Sequence, residues 1–211
     1  MGDELAVEIT EWQLLTYLGE LEHQAEAAAM AIDAFNGAMQ TSALESIARA
    51  FAAAQSLLGA AAQISKLLWP APPMPRSSDP QRARKKAIRQ FSLNRGARLC
   101  EALQLQPSHG LVLKDRNVRN AFEHFDERLD AYFFGGGSYV VDRTIGPRES
   151  AVIVGDQPAM YLRLIDNAKL SISVLDVEVS LQAIADDVMK VREAAEKART
   201  RLQANAARVQ S

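Results

Sequence analysis

Five prolines fall within eleven residues, at Pro70, Pro72, Pro73, Pro75 and Pro80. Proline lacks an amide donor and its ring collides with the preceding turn, so no helix crosses this stretch. Residues 69–80 are therefore expected to form an extended linker between helical segments. Upstream, from about Glu4 to Ala34, Leu5, Ile9, Trp12, Leu15, Leu18, Leu21 and Ala25 recur every three or four positions, the stripe of a long amphipathic helix that Asn36 and Gly37 can end. Ser42 followed by Glu45 makes a capping-box pattern that opens a second helix through Ile47, Phe51, Leu58, Ile64 and Leu68, so the two form a hairpin. Downstream, Asp79 as N-cap and Pro80 at the first helical position start a third helix to about Gln104, with Gly96 a weak point inside it. After a loop at Pro107 to Gly110, Val118, Phe122, Phe125, Leu129 and Tyr132 describe a fourth stripe ended by Gly135, Gly136 and Gly137.

The pattern then changes. Tyr139 to Val141, Ala151 to Val154, Met160 to Ile165 and Leu170 to Val174 are short β-rich runs separated by turn residues, as expected of a small antiparallel sheet. Ser180 can cap a final helix through Leu181, Ile184, Val188 and Val191, whose charged, alanine-rich end from Glu193 frays or packs on a partner. With 48% hydrophobic but only 6% aromatic residues, the composition favours close-packed helices over a sandwich or barrel. The expected fold is mainly α: an antiparallel four-helix bundle over residues 1–134, and a region over 135–211 holding the small sheet and the C-terminal helix, packed on that bundle. Trp12 and Trp69 are expected to anchor the core or an interface.

The longest uncharged stretch, Ala50 to Ser65, is too short and too rich in alanine and glutamine for a membrane span. The acidic start at Asp3 and Glu4 lacks the basic, then apolar, pattern of a secretory signal. Cys100 is the single cysteine, which excludes an internal disulfide or a cysteine zinc cluster. A reducing cytoplasm and a chain without metal or cofactor are the expectations.

The net charge of −2 conceals a segregation of sign. Residues 1–48 carry nine carboxylates and no lysine or arginine, whereas Arg76, Arg82, Arg84, Lys85, Lys86, Arg89, Arg95 and Arg98 are opposed nearby only by Asp79. One reading makes the basic run, Arg82, Arg84, Lys85, Lys86 and Arg89 above all, a footprint for an RNA backbone. The other has it pair with the acidic helix, within the chain or across a dimer.

No phosphate-binding loop, dinucleotide fingerprint, zinc-protease, calcium-loop or serine-hydrolase motif occurs. The remaining constellation is Arg116, Arg119, Asn120, Glu123 and His124 on the fourth helix. At 100° per residue, His124 lies about 130° from the mean direction of the apolar stripe, so it faces away from the intramolecular core. A histidine exchanges a proton near neutral pH, and an arginine fork holds a phosphate and stabilises its transition-state charge. RNA supplies its own nucleophile, the 2′-hydroxyl, so an acid-base group and a phosphate clamp suffice without a metal. Arg116 joins the same polar half of the helix and is a candidate RNA contact.

Arg119 and Asn120, followed by three residues and His124, resemble the R-x4-6-H signature of HEPN domains, in the variant with a polar residue directly after the arginine. Those domains are antiparallel helical bundles, often homodimeric, and many are metal-independent ribonucleases of toxin-antitoxin, defence and RNA-processing systems. The resemblance implies Arg119 as phosphate ligand, His124 as acid-base residue and Asn120 as the supporting polar residue, with two motifs meeting at a dimer interface and a protein inhibitor or partner restraining the enzyme. On an ideal helix Arg119 and His124 are about 140° apart, so pairing across a dimer or a distorted helix start is required. The alternative is a non-catalytic helical interaction or scaffold protein, in which this face is solvated and laced with pairs such as Arg119 with Glu123.

Overall fold

The computed structural model describes residues 8–41, 44–115, 125–148, 153–154, 157–158, 160–175 and 177–209. Its long elements are helices α1 (Glu11–Met39), α2 (Leu44–Leu68), α3 (Arg82–Ala102), α4 (Phe125–Phe134) and α5 (Leu181–Val209). Residues 70–80 contain no helix, as the prolines require. Short 3-10 turns at Pro107–His109 and Val112–Lys114 follow α3.

A capping box opens α1: the Gln13 amide donates to Thr10 Oγ1 at 3.3 Å, and the Thr10 amide to Gln13 Oε1 at 3.0 Å. The buried row of α1 is Leu14, Leu18, Leu21, Ala25, Ala28, Ala31, Phe35 and Ala38. This corrects the expected stripe at both ends. Trp12 stands 74% exposed, and Asn36 and Gly37 do not stop the helix, because Phe35 and Ala38 are buried on the core side. That burial outweighs the roughly 1 kcal/mol propensity cost of a helical glycine. Small side chains at Ala25, Ala28 and Ala31 let α2 approach closely, with Ala50, Ala54, Leu57, Leu58, Ala61 and Ile64 buried opposite.

The third core helix is α5, antiparallel to α1: Leu181 sits beside Phe35, while Arg199 pairs with Glu22 at 2.8 Å. Ile184, Val188, Val191, Ala195 and Ala198 are almost fully buried. From Glu193 to about Leu202, α5 thus packs on its own chain, whereas most of residues 203–208 are exposed. Ser180 Oγ accepts from the Ala183 amide at 3.1 Å, the cap expected there. In α3 only Gly96 and Leu99 are buried, and α4 buries none of its residues. Among the described residues the core is built mainly by α1, α2 and α5, and a four-helix bundle of the first four helices is not confirmed, since Val118 and Phe122 of the expected fourth stripe lie outside them.

The strands are β1 (Val140–Val141), β2 (Thr144–Ile145), β3 (Ile153–Val154), β4 (Gln157–Pro158), β5 (Met160–Tyr161), β6 (Arg163–Asp166), β7 (Ser171–Val174) and β8 (Val177–Ser180). A four-stranded sheet has the order β2-β6-β7-β8, in which β6, β7 and β8 are antiparallel neighbours. The all-antiparallel expectation needs correction at two places, since β2 runs parallel to β6 and β1 parallel to β5. Parallel neighbours need a crossover of about a dozen residues or more, and residues 146–162 supply one between β2 and β6. β3 and β4 form a separate antiparallel pair. Ile165, Ile172 and Val179 from the four-stranded sheet join α1, α2 and α5 in a continuous apolar cluster.

Candidate functional site

Arg116, Arg119, Asn120 and His124, the residues singled out for phosphodiester chemistry, lie outside the described residues, as do Val118 and Phe122 of the same stripe and Ser42 of the expected capping box. What the structure does describe is how the chain is held on either side of residues 116–124. On the upstream side, Asp187 of α5 accepts the Val112 amide at 2.6 Å and the Leu113 amide at 3.5 Å, and Leu113 is buried. Downstream, the Arg163 guanidinium of β6 lies 5.5 Å from the Phe125 ring centre and makes two 2.7 Å bonds to the Asp142 carboxylate.

These two anchors escaped the sequence reading. Asp187 carried a legible signal, a carboxylate beside Ile184, Val188 and Val191 on the buried side of the last helix. Arg163 and Asp142 carried none, because their pairing depends on how the β-rich region folds. Glu22 is committed to Arg199, and its Oε1 is buried without a hydrogen-bond partner among the described residues. Glu26 and His23 are exposed, while His109 accepts the Gln106 amide through Nδ1 within its turn.

The basic run occupies the start of α3. Lys85 pairs with Asp79, whose carboxylate also accepts the Gln81 amide. These contacts hold the Asp79 carboxyl below its ordinary value, the Lys85 bond contributing most. The N-cap falls at Gln81, two residues beyond the expected Asp79, which instead makes the turn into the helix. Arg82, Arg84 and Lys86 are exposed and have no ion-pair partner among the described residues. Further along, Arg95 stacks 5.3 Å from the Tyr17 ring centre and donates to the Lys66 carbonyl at 2.9 Å, so it is structural. The two readings of the basic run thus separate by residue: Arg95 serves packing, and the helix start stays open.

Gly96 is a point of close approach and no weak point. A Cβ there would lie 2.7 Å from the Leu68 carbonyl oxygen and 2.6 Å from Pro70 Cδ. Burial pushes the Cys100 thiol upward, which disfavours a thiolate nucleophile. Among the described residues no group of three or more His, Cys, Asp or Glu side chains is arranged to hold a metal ion. Nor, among them, is any helix long and apolar enough to cross a membrane. No protein-family model matches the sequence, and no curated protein or solved structure is significantly similar to it.

Proposed function

We propose that the protein is a HEPN-like, metal-independent endoribonuclease that works as a homodimer in a reducing cytoplasm, in a defence or toxin-type setting with a restraining protein partner. The observation that carries this reading is the Arg119, Asn120 and His124 pattern, set in a mainly helical chain immediately before α4. The anchoring of both flanks, by Asp187 and by Arg163 with Asp142, supports it, because an acid-base group acts only when its backbone is held near a productive geometry.

In the reaction, His124 takes the proton of the 2′-hydroxyl as that oxygen attacks the adjacent phosphorus. The bond to the 5′-oxygen breaks, and the departing oxygen takes a proton from the second motif or from water. The products are a 2′,3′-cyclic phosphate and a 5′-hydroxyl. Arg119 holds the phosphate and stabilises its added charge, Asn120 supports the arginine, and Arg116 with the exposed cations of α3 guides the strand.

The test is cleavage of an end-labelled RNA pool in chelator. His124→Ala and Arg119→Ala should each lose activity by about a hundredfold or more, with circular dichroism unchanged. Equal cleavage by wild type and His124→Ala would remove the motif from the mechanism. A second reading, a non-catalytic interaction protein, is favoured by the first two thirds of α3, where none of residues 82–95 is buried as a whole. It predicts indifference to both substitutions.

A further inference from the structure

We propose that the cationic groove between the proline segment and α3 is a self-association surface that receives the acidic start of α1 from a second copy of this chain. The groove, about 550 Å³, is lined by prolines, Met74 and Ile88 together with Arg76, Arg89 and the Lys85–Asp79 ion pair, so its cations outnumber its one carboxylate. Its apolar floor is open: Met74 is 70% exposed and Ile88 54%. Arg82, Arg84 and Lys86, on the same helix start, are exposed without ion-pair partners among the described residues, and Arg89 Nε is sealed from solvent without a hydrogen bond among them.

Two physical costs go unmet in the single chain. Positive charge at a helix start opposes the macrodipole, and Asp79, just before the helix, offsets only one of the four cations of the first turns of α3. The exposed apolar side chains of Met74 and Ile88 beside this helix start are the second, since apolar surface left in water costs free energy in proportion to its area. The occupant must therefore be anionic and must also carry an apolar anchor. The chain itself displays such a surface: Glu8 and Glu11 are exposed and unpaired among the described residues, and the indole of Trp12, the most exposed tryptophan, stands beside them. No lysine or arginine lies near them in sequence before Arg49.

A nucleic acid fits the groove less well. No aromatic side chain lines it to stack a base, and phosphates gain nothing from methionine, isoleucine and proline. In a twofold dimer each copy gives its Trp12 end and offers its groove, so both surfaces are buried twice over.

The inference rests on the homodimer of the proposed nuclease and is read without cleavage: a dimer indifferent to the charge reversals overturns this surface alone, whereas a wild type that stays monomeric also removes the homodimer from the proposed function. The experiment is sedimentation velocity on the full chain, with tryptophan emission recorded alongside. Wild type should dimerise at low ionic strength, with Trp12 emission shifting to the blue, and should dissociate as salt rises. The pairs Arg82→Glu with Lys86→Glu, and Glu8→Lys with Glu11→Lys, should each weaken association by at least about tenfold. Mixing the two charge-reversed chains should restore the dimer, because each groove then meets an end of opposite sign. That recovery also shows that both variants are folded. Wild type that remains monomeric, a dimer indifferent to both reversals, failure of the mixture to recover, or binding of a single-stranded RNA oligomer by a monomer through the same cations would each overturn the proposal.

Discussion

At the scale of single residues, the strongest constraints sit where the backbone is crowded or a buried polar group has one partner. Gly96→Ala would drive a methyl group into the Leu68 carbonyl and the Pro70 ring, and should cost about 1–3 kcal/mol in urea unfolding. Asp187→Ala strands the Val112 and Leu113 amides and should cost about 1–3 kcal/mol. It should also lower RNA cleavage if the stretch it anchors is the catalytic one. Asp166 is buried and accepts the Lys169 and Ala168 amides, contacts that hold its carboxyl below the ordinary value. Because the folded value is depressed, as at Asp79, its contribution is present above the unfolded carboxylate range and is lost as pH falls through the folded value. The melting temperature should therefore drop below about pH 4, and Asp166→Asn should flatten that acid limb. A melting temperature constant down to pH 2 would contradict the assignment. Gly96 also shows what sequence conceals: a glycine in a helix reads as a propensity penalty, and only the crossing chain reveals it as a contact.

At the scale of elements, the helices were legible where large apolar residues carry the period. The helical runs of α2, α3 and α5 follow from periodicity and punctuation, and the Ser180 cap is visible as a serine before an apolar stripe. α1 was read a few residues too far toward its start, because its buried face is made largely of alanine, which hydrophobic patterning underweights beside Trp12 and Leu15. The place of α5 in the core was not legible. Its burial depends on long-range packing against α1, and alanines at 195 and 198 give no signal of which helix they meet. The parallel pairings of β1 and β2 were hidden for a related reason, since local alternation specifies a strand but not its neighbour. Ile184→Ala, in the middle of this packing, should destabilise by about 2–5 kcal/mol, read as a lower midpoint with an unchanged denaturant slope. A loss below 1 kcal/mol would mean that α5 is peripheral.

At the scale of the whole molecule, charge segregation divides the surface into an acidic α1 and a cationic α3 start, and the fold joins them internally at few points. Glu22 goes to Arg199 on α5, and Arg95 goes to an aromatic ring and a carbonyl. The chemistry proposed for residues 116–124 was legible from the sequence as a pattern of residue types, whereas what the flanking anchors hold, and the Arg163–Asp142 anchor altogether, emerges only from the fold. The most direct measurement is therefore of the reaction itself: single-stranded RNA is incubated with the full chain in excess chelator, and the ends of the new fragments are identified. The account predicts 2′,3′-cyclic phosphates paired with 5′-hydroxyls, formed by wild type and absent with Arg119→Ala. Fragments ending in 3′-hydroxyls with 5′-phosphates, or an RNA pool left intact by the wild-type protein, would contradict it.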